Sequence, residues 1–428
     1  MLYAKITWLD SGTYSNQPGC FTFNLKLTMN KKKWKATFKG EKTIEDKIKE
    51  IANAIIRSDC LKDGYGLLGG SQGVVIFLYN YFQYSKEEIY KEFADKLVLD
   101  ILKIAKRESA FSLCNGHLGI LWGLVYLNKI GFIDCDVNEV FDNRLIHISD
   151  EIEPAFDRYG YDFLHGGLGY LFFLQEIEHK NKQVLDNINK GVNWLEKHSI
   201  AEKKGKGLSW ISNFKSLKGT NLGLSHGMSS IIRVLTLLYA QNPDKKIGDL
   251  LRKAVQFIIA SKQDHKYGSY FPNAIENNNH NSKSRLAWCY GDLGICIAIW
   301  HAGLALKDEG LRSFAIEVLD FSATRSDPRK EGVIDSGICH GAAGIAHIYN
   351  RFYQITNNEL YRETALYWTN IALNQAVHKD GIAGFKSFDG SVWQKSLGLL
   401  TGVSGIGLVL LSSISSIAPR WDRCLLIS

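Results

Sequence analysis

Apolar residues along this chain fall into two kinds of segment that follow one another in turn. In the stretch Leu293 to Leu306 nearly every position is apolar, which marks a helix buried on all sides. In Lys246 to Lys262, by contrast, Ile247, Leu250, Leu251, Ala254, Val255 and Ile258 recur with the helical period, while Asp249, Arg252 and Lys253 face away. Tyr361 to Leu373 reads the same way. The pattern predicts buried inner helices, each wrapped by an amphipathic outer one.

A glycine motif opens each apolar segment, and it recurs seven times: GLLGGSQGVVIFLY from Gly66, SLCNGHLGILWGL from Ser112, DFLHGGLGYLFFL from Asp162, GLSHGMSSIIRVL from Gly223, AWCYGDLGICIAIW from Ala287, GICHGAAGIAHIY from Gly337 and GLLTGVSGIGLVLL from Gly398. The shared glycines are Gly70, Gly116, Gly166, Gly227, Gly291, Gly341 and Gly402, spaced 46, 50, 61, 64, 50 and 61 residues apart. Each unit has room for two helices and two loops. The first and last repeats are as apolar as the middle ones, whereas an open solenoid needs polar terminal repeats. They are therefore expected to pack on each other, giving an all-α fold: an α/α toroid (barrel) of seven helical-hairpin repeats. Glycine at the inner-helix start is expected to allow a positive φ and close crowding around a narrow bore.

Composition adjusts this picture only slightly. Hydrophobic residues make up 45% of the 428, with six prolines, which fits an ordered helical protein. Lys and Arg outnumber Asp and Glu by 51 to 44, a mild excess with one tight run at Lys31–Lys33, so no nucleic-acid partner is expected. The first residues lack the basic-then-apolar pattern of a secretory signal, and with eight cysteines this points to reduced thiols or a metal in the cytoplasm. The uncharged stretch Leu399 to Ala418 is read as a buried helix and its lead-in, not a membrane span. Residues 1–45 are set apart as an N-terminal extension, and 46–428 as a single barrel domain. Within the extension Phe21 to Leu27 alternates like a strand, and Met29 is an alternative start.

Register concentrates the chemistry. One residue before the shared glycine stand Gly69, Asn115, His165, His226, Tyr290, His340 and Thr401; two before it stand Leu68, Cys114, Leu164, Ser225, Cys289, Cys339 and Leu400. Cys289 and Cys339 share a register in consecutive repeats, and His340 follows directly. Neighbouring helices lie roughly 8–10 Å apart, close enough for two thiolates to share one zinc at about 2.3 Å each. Three such ligands leave a fourth position open, as catalytic zinc sites do. Matching register is also met by coincidence or by a disulfide. Cys114 reads as a small buried hydrophobe, and Cys20, Cys60, Cys135, Cys296 and Cys424 have no comparable context. His226 and His165 face the same cavity as candidates for acid/base work. Asp162 and Arg285, each beside an apolar segment, read equally well as surface salt-bridge residues.

The segments SRLAWCYGDLGI, CHGAAGI and NLGLSHG resemble the lanthionine cyclases of lantibiotic biosynthesis, over all seven repeats from about Gly64 onward. The resemblance implies an α/α barrel with one Zn²⁺ held by Cys289, Cys339 and His340. It further implies active-site roles for His226, Arg285, Tyr290 and Asp162, and assigns none to His165. The implied reaction is a Michael addition of peptide cysteine thiols to dehydroalanine or dehydrobutyrine. The implied substrate is a dehydrated precursor peptide with its leader, and the implied partners are a lantibiotic dehydratase and an ABC exporter. Such a complex would place the chain in the cytoplasm, peripheral at the inner face of the membrane. Glu202 to Asn221 and Asp264 to Ser284 are candidate peptide-binding loops. Competing readings are a related enzyme that adds glutathione to an electrophile, a prenyl transferase, whose zinc aspartate this register does not supply, and a non-catalytic leader-peptide scaffold.

Overall fold

The computed structural model describes residues 33–62, 64–105, 111–134, 137–178, 180–212, 219–276 and 282–428. Phe21 to Leu27, Met29, Cys20 and Cys135 lie outside them. Fourteen α-helices are found among the described residues. They are α1 (Lys42–Ile56), α2 (Ser71–Ser85), α3 (Glu88–Ala105), α4 (His117–Lys129), α5 (Val137–Tyr159), α6 (Gly167–Glu176), α7 (Lys182–Lys197), α8 (Met228–Gln241), α9 (Lys245–Ala260), α10 (Asp292–Leu306), α11 (Glu309–Ala323), α12 (Ala342–Thr356), α13 (Glu359–Asn374) and α14 (Val403–Ile414). The even-numbered helices form the inner ring and the odd-numbered ones flank it. Each of the seven shared glycines is the residue immediately before an inner helix.

The two layers begin their helices differently, for a physical reason. Outer helices α7, α9, α11 and α13 start with Asn181, Asp244, Asp308 and Asn358, whose side chains accept a backbone N–H of the first turn. The inner helices start with glycine and no side-chain cap, because there is no room for one. A Cβ on Gly166 would lie 2.6 Å from the carbonyl oxygen of Gly160, and one on Gly402 would lie 2.5 Å from the nitrogen of Gly398. Close approach is thus the general reason for glycine. The positive φ anticipated for the motif occurs only at Gly291, at 84°; the other six adopt φ between −102° and −137°.

Burial follows the hydrophobic pattern. Every residue of α14 is buried, and at twelve residues it is an inner helix. Among the described residues no helix is long and apolar enough to cross a membrane. On α9 the six apolar positions picked out by period are all buried, each worth about 1.5–3 kcal/mol for a fully covered large side chain.

A ring of backbone hydrogen bonds closes the toroid. The residue two before each glycine donates its N–H to its counterpart in the next repeat: Leu68 to Cys114 (3.0 Å), Cys114 to Leu164 (3.0 Å), Ser225 to Cys289 (3.4 Å), Cys289 to Cys339 (3.2 Å), Cys339 to Leu400 (2.9 Å) and Leu400 back to Leu68 (2.8 Å). The last of these joins the seventh repeat to the first, and α14 packs against both α2 and α12. One link differs: the N–H of Leu164 goes instead to Oδ1 of Asp162, at 2.9 Å.

At the opposite end, a 3₁₀ turn at Arg420–Leu425 fills the bore. Trp288 and Arg233 donate to the carbonyls of Leu425 and Leu426 (2.8 and 2.9 Å). Asp422 accepts from Arg351 and pairs with His347 at 2.7 Å. Near the start, Trp34 donates to the carbonyl of Ser412 (2.9 Å), and the backbone of Thr37 to that of Ser413 (2.8 Å), so residues from 34 onward lie against α14.

Candidate metal centre and active site

The glycine loops gather at one rim. The residue before each glycine is partly or fully exposed at every repeat, while the glycine itself is buried. Gly69, Asn115, His165, His226, Tyr290, His340 and Thr401 therefore face one common mouth.

Cys289 and Cys339 meet there because the backbone link between their loops, Cys289 N–H to Cys339 carbonyl, sets them side by side. One ligand atom from each of Cys289, Cys339 and His340 can be chosen so that all lie within 4.8 Å of one another. The edges of a tetrahedral Zn–S/Zn–N site are roughly 3.5–3.8 Å, so these donors fit a zinc ion. Both cysteines are free thiols, which sets aside the disulfide alternative. Cys289 gives up its proton first. A hydrogen bond from the Cys339 thiol, supported by His340 and Arg285 against the cost of burial, holds it down to about 5. The same contact, with burial, keeps Cys339 well above the usual thiol range. The Cys289 interaction also raises His340. The positive ends of α10 and α12 open three residues beyond the two thiols and favour negative charge at that spot. The Nε2 atom of His340 faces the carbonyl of Phe388 at 3.4 Å, which leaves Nδ1 for a metal.

Asp162 and His226 form a second constellation. Asp162 is not a surface salt-bridge residue: its side chain is buried, Oδ1 accepts the backbone N–H of Leu164 and His165 (2.9 and 2.8 Å), and Oδ2 lies 2.5 Å from Nδ1 of His226. The break in the backbone ring is thus where this carboxylate joins the third repeat to the fourth. The ring of His165 lies nearly parallel to that of His226, with centroids 6.3 Å apart, and burial lowers its affinity for protons. On the other side of His226 stands Tyr290, centroids 6.4 Å apart. Burial raises the Tyr290 hydroxyl, which stays a neutral phenol beside Asn221. Arg285 is exposed and its guanidinium makes no ion pair among the described residues, so the surface salt bridge is absent for it too. Its charge is felt at Cys289, Cys339 and His340.

Cys114 behaves as a core residue, its thiol pushed up to about 12 by burial. The two polar stretches read as loops are joined: β3 (Thr220–Asn221) pairs antiparallel with β4 (Ala274–Ile275), after a hairpin of β1 (Ile200–Ala201) and β2 (Leu208–Ser209). Residues 213–218 and 277–281 of these stretches lie outside the described set. A third hairpin, β5 (Ser387–Phe388) with β6 (Trp393–Gln394), reaches His340 through the carbonyl of Phe388.

The profile of the family described as lanthionine synthetase C-like protein matches residues 61–426. The chain belongs to the lanthionine synthetase C-like family. Nisin biosynthesis protein NisC of Lactococcus lactis subsp. lactis is 22% identical over 391 residues, spanning 84% of this chain and 88% of that protein. Glutathione S-transferase LANCL1 of Danio rerio is 22% identical over 249 residues, 55% of this chain and 57% of that one. The solved structure of nisin cyclase superposes with a TM-score of 0.70 at 21% identity, covering 90% of this chain and 98% of the other, which agrees with the toroid.

For a lanthionine synthetase C-like protein, reading by register found the three candidate metal donors but missed Asn221 and Asp335. Each stands six residues before its shared glycine, and each accepts the backbone N–H two residues ahead, at 2.8 and 3.0 Å. That common offset is the signal that could have marked them.

Proposed function

We propose that this chain is a zinc-dependent lanthionine cyclase that closes thioether rings in a dehydrated lantibiotic precursor peptide. The observation that carries the reading is the meeting, at one rim, of two thiols and an imidazole with an aspartate–histidine pair. Cys289, Cys339 and His340 would hold one Zn²⁺ and leave a position for the substrate's sulfur. Bound there, the metal would supply the acidity that makes a peptide thiol a thiolate at neutral pH.

The remaining steps fall to the chain's own side chains. The S–H bond breaks and its proton passes to Nε2 of His226, sulfur bonds to the β-carbon of the dehydro residue, and the electron pair moves onto the carbonyl as an enolate. Arg285, whose charge is felt at Cys289, Cys339 and His340, would stabilise that developing charge. Asp162 holds His226 through Nδ1, so Nε2 is the atom that delivers a proton to the α-carbon. Tyr290, a neutral phenol, orients the reacting peptide. The peptide would come from a dehydratase and leave through an exporter, placing the chain in the cytoplasm.

A second reading, addition of glutathione to an electrophile, is favoured by the similarity to the Danio rerio glutathione S-transferase. One experiment separates them. The purified chain is assayed for zinc and incubated with a dehydrated precursor peptide and glutathione together, followed by thiol labelling and mass spectrometry. Loss of peptide thiols without added mass supports cyclisation; a gain of one glutathione per dehydro residue supports the second reading. Leader binding with no change in thiol count would leave a scaffold.

A further inference from the structure

Asp335 is almost wholly buried, with 1% of its surface exposed. Oδ1 accepts the N–H of Gly337 (3.0 Å) and Oδ2 the N–H of Phe388 in β5 (2.8 Å). No lysine or arginine pairs with it among the described residues; its one ion-pair partner is His340, whose Nε2 lies 3.8 Å from Oδ2. A buried carboxylate without a cation is costly, and such a group persists where its charge has work to do. Here the same Nε2 also faces the Phe388 carbonyl at 3.4 Å, and Asp335 holds that very residue in place.

We infer that Asp335 is a positioning residue of the metal centre: its carboxylate, with the Phe388 carbonyl it anchors, fixes the Nε2–H of His340 and so presents Nδ1 to zinc. The arrangement has two parts, a carboxylate charge 3.8 Å from Nε2 that attracts the N–H electrostatically, and a hairpin tied down to supply its hydrogen-bond acceptor. Partners of this kind hold the tautomer and ring orientation of a metal-binding histidine, and losing one typically weakens metal binding by about 10–100-fold. The inference rests on the proposed metal centre. It adds to it a residue from outside the glycine motif and a loop from the following repeat.

The test is zinc affinity by competition with a chromogenic chelator, for the full-length wild type and for Asp335→Asn, which keeps one acceptor oxygen in the same shape. The variant is expected to bind zinc about 10–100-fold more weakly, with the sulfur-to-metal absorption band of its cobalt(II) form shifted, while its metal-free melting temperature matches the wild type. Equal zinc affinity in the two proteins would overturn the inference and leave the metal centre standing. If neither zinc nor cobalt binds the wild type, the metal-centre reading itself falls. A second arm does not depend on how the variant folds. In cobalt-loaded wild type, the contact-shifted ring N–H of His340 should exchange slowly with solvent, and rapid exchange would contradict the inference.

Discussion

At the scale of single residues, the proposed function divides the rim into groups that would hold metal and groups that would move protons. One ligand atom from each of Cys289, Cys339 and His340 lies within 4.8 Å of the others, whereas His226 is anchored through Nδ1 by Asp162. Removing one donor leaves too few protein ligands for a tight site, so Cys289→Ala or Cys339→Ala should abolish both bound zinc and ring formation, as metal analysis and peptide mass will show. His226→Asn should keep zinc and slow cyclisation by roughly 10²–10⁴-fold, the usual worth of a positioned acid/base group. Loss of metal in that variant would mean the division of labour is wrong.

Among elements, the loops before the inner helices carry both the architecture and the chemistry. Their backbones are bonded to one another around the ring, so a disturbance in one loop reaches the next. Gly291 is the sensitive point, since it combines φ 84° with direct contact against the carbonyl of Arg285. Gly291→Ala would cost about 1–2 kcal/mol for the left-handed backbone alone, plus a collision that must displace Arg285 or the Cys289 loop. We expect a lower melting temperature together with weaker zinc binding. An outer-layer change offers the control: Asp244→Ala removes the α9 cap and should cost ~1 kcal/mol with zinc affinity unchanged.

Taken whole, the molecule has two ends with different duties, a rim of reactive side chains and a bore plugged by Arg420–Leu425. The plug predicts an acid limit on stability. His347 is fully buried, Nε2 meets Asp422, and Nδ1 has no hydrogen-bond partner among the described residues, so a second proton would be stranded; burial accordingly lowers its pKa from 6.5. The unfolded chain takes that proton below about pH 6.5 and the folded one does not. Stability should therefore be level above that pH and fall below it, approaching 1.4 kcal/mol per pH unit for this one imidazole, roughly. For Asp422, burial alone would raise the carboxyl, but Arg351 and His347 outweigh it and hold it below the usual range, which adds a further loss at lower pH. Chemical unfolding of metal-free protein from pH 8 to 4 checks this, and a profile flat through pH 6 would count against it.

Much of the molecule was legible in its residues. Seven glycines at matching offsets state the number of repeats, because each inner helix must start where no side chain fits. The apolar and amphipathic segments state the two layers, because burial on all sides and burial on one face leave different periods. Register drew attention to Cys289, Cys339 and His340, since equivalent positions in a closed ring must face the same mouth, and the family resemblance named them as a ligand set. What only the tertiary structure decided were the contacts between loops distant in the chain. Asp162 reaches His226 across 64 residues, Phe388 reaches His340 across 48, and Leu400 closes on Leu68. Such pairings depend on how each loop bends after its outer helix, and no repeat offset records that, because hydrogen-bond partners are chosen by distance in space.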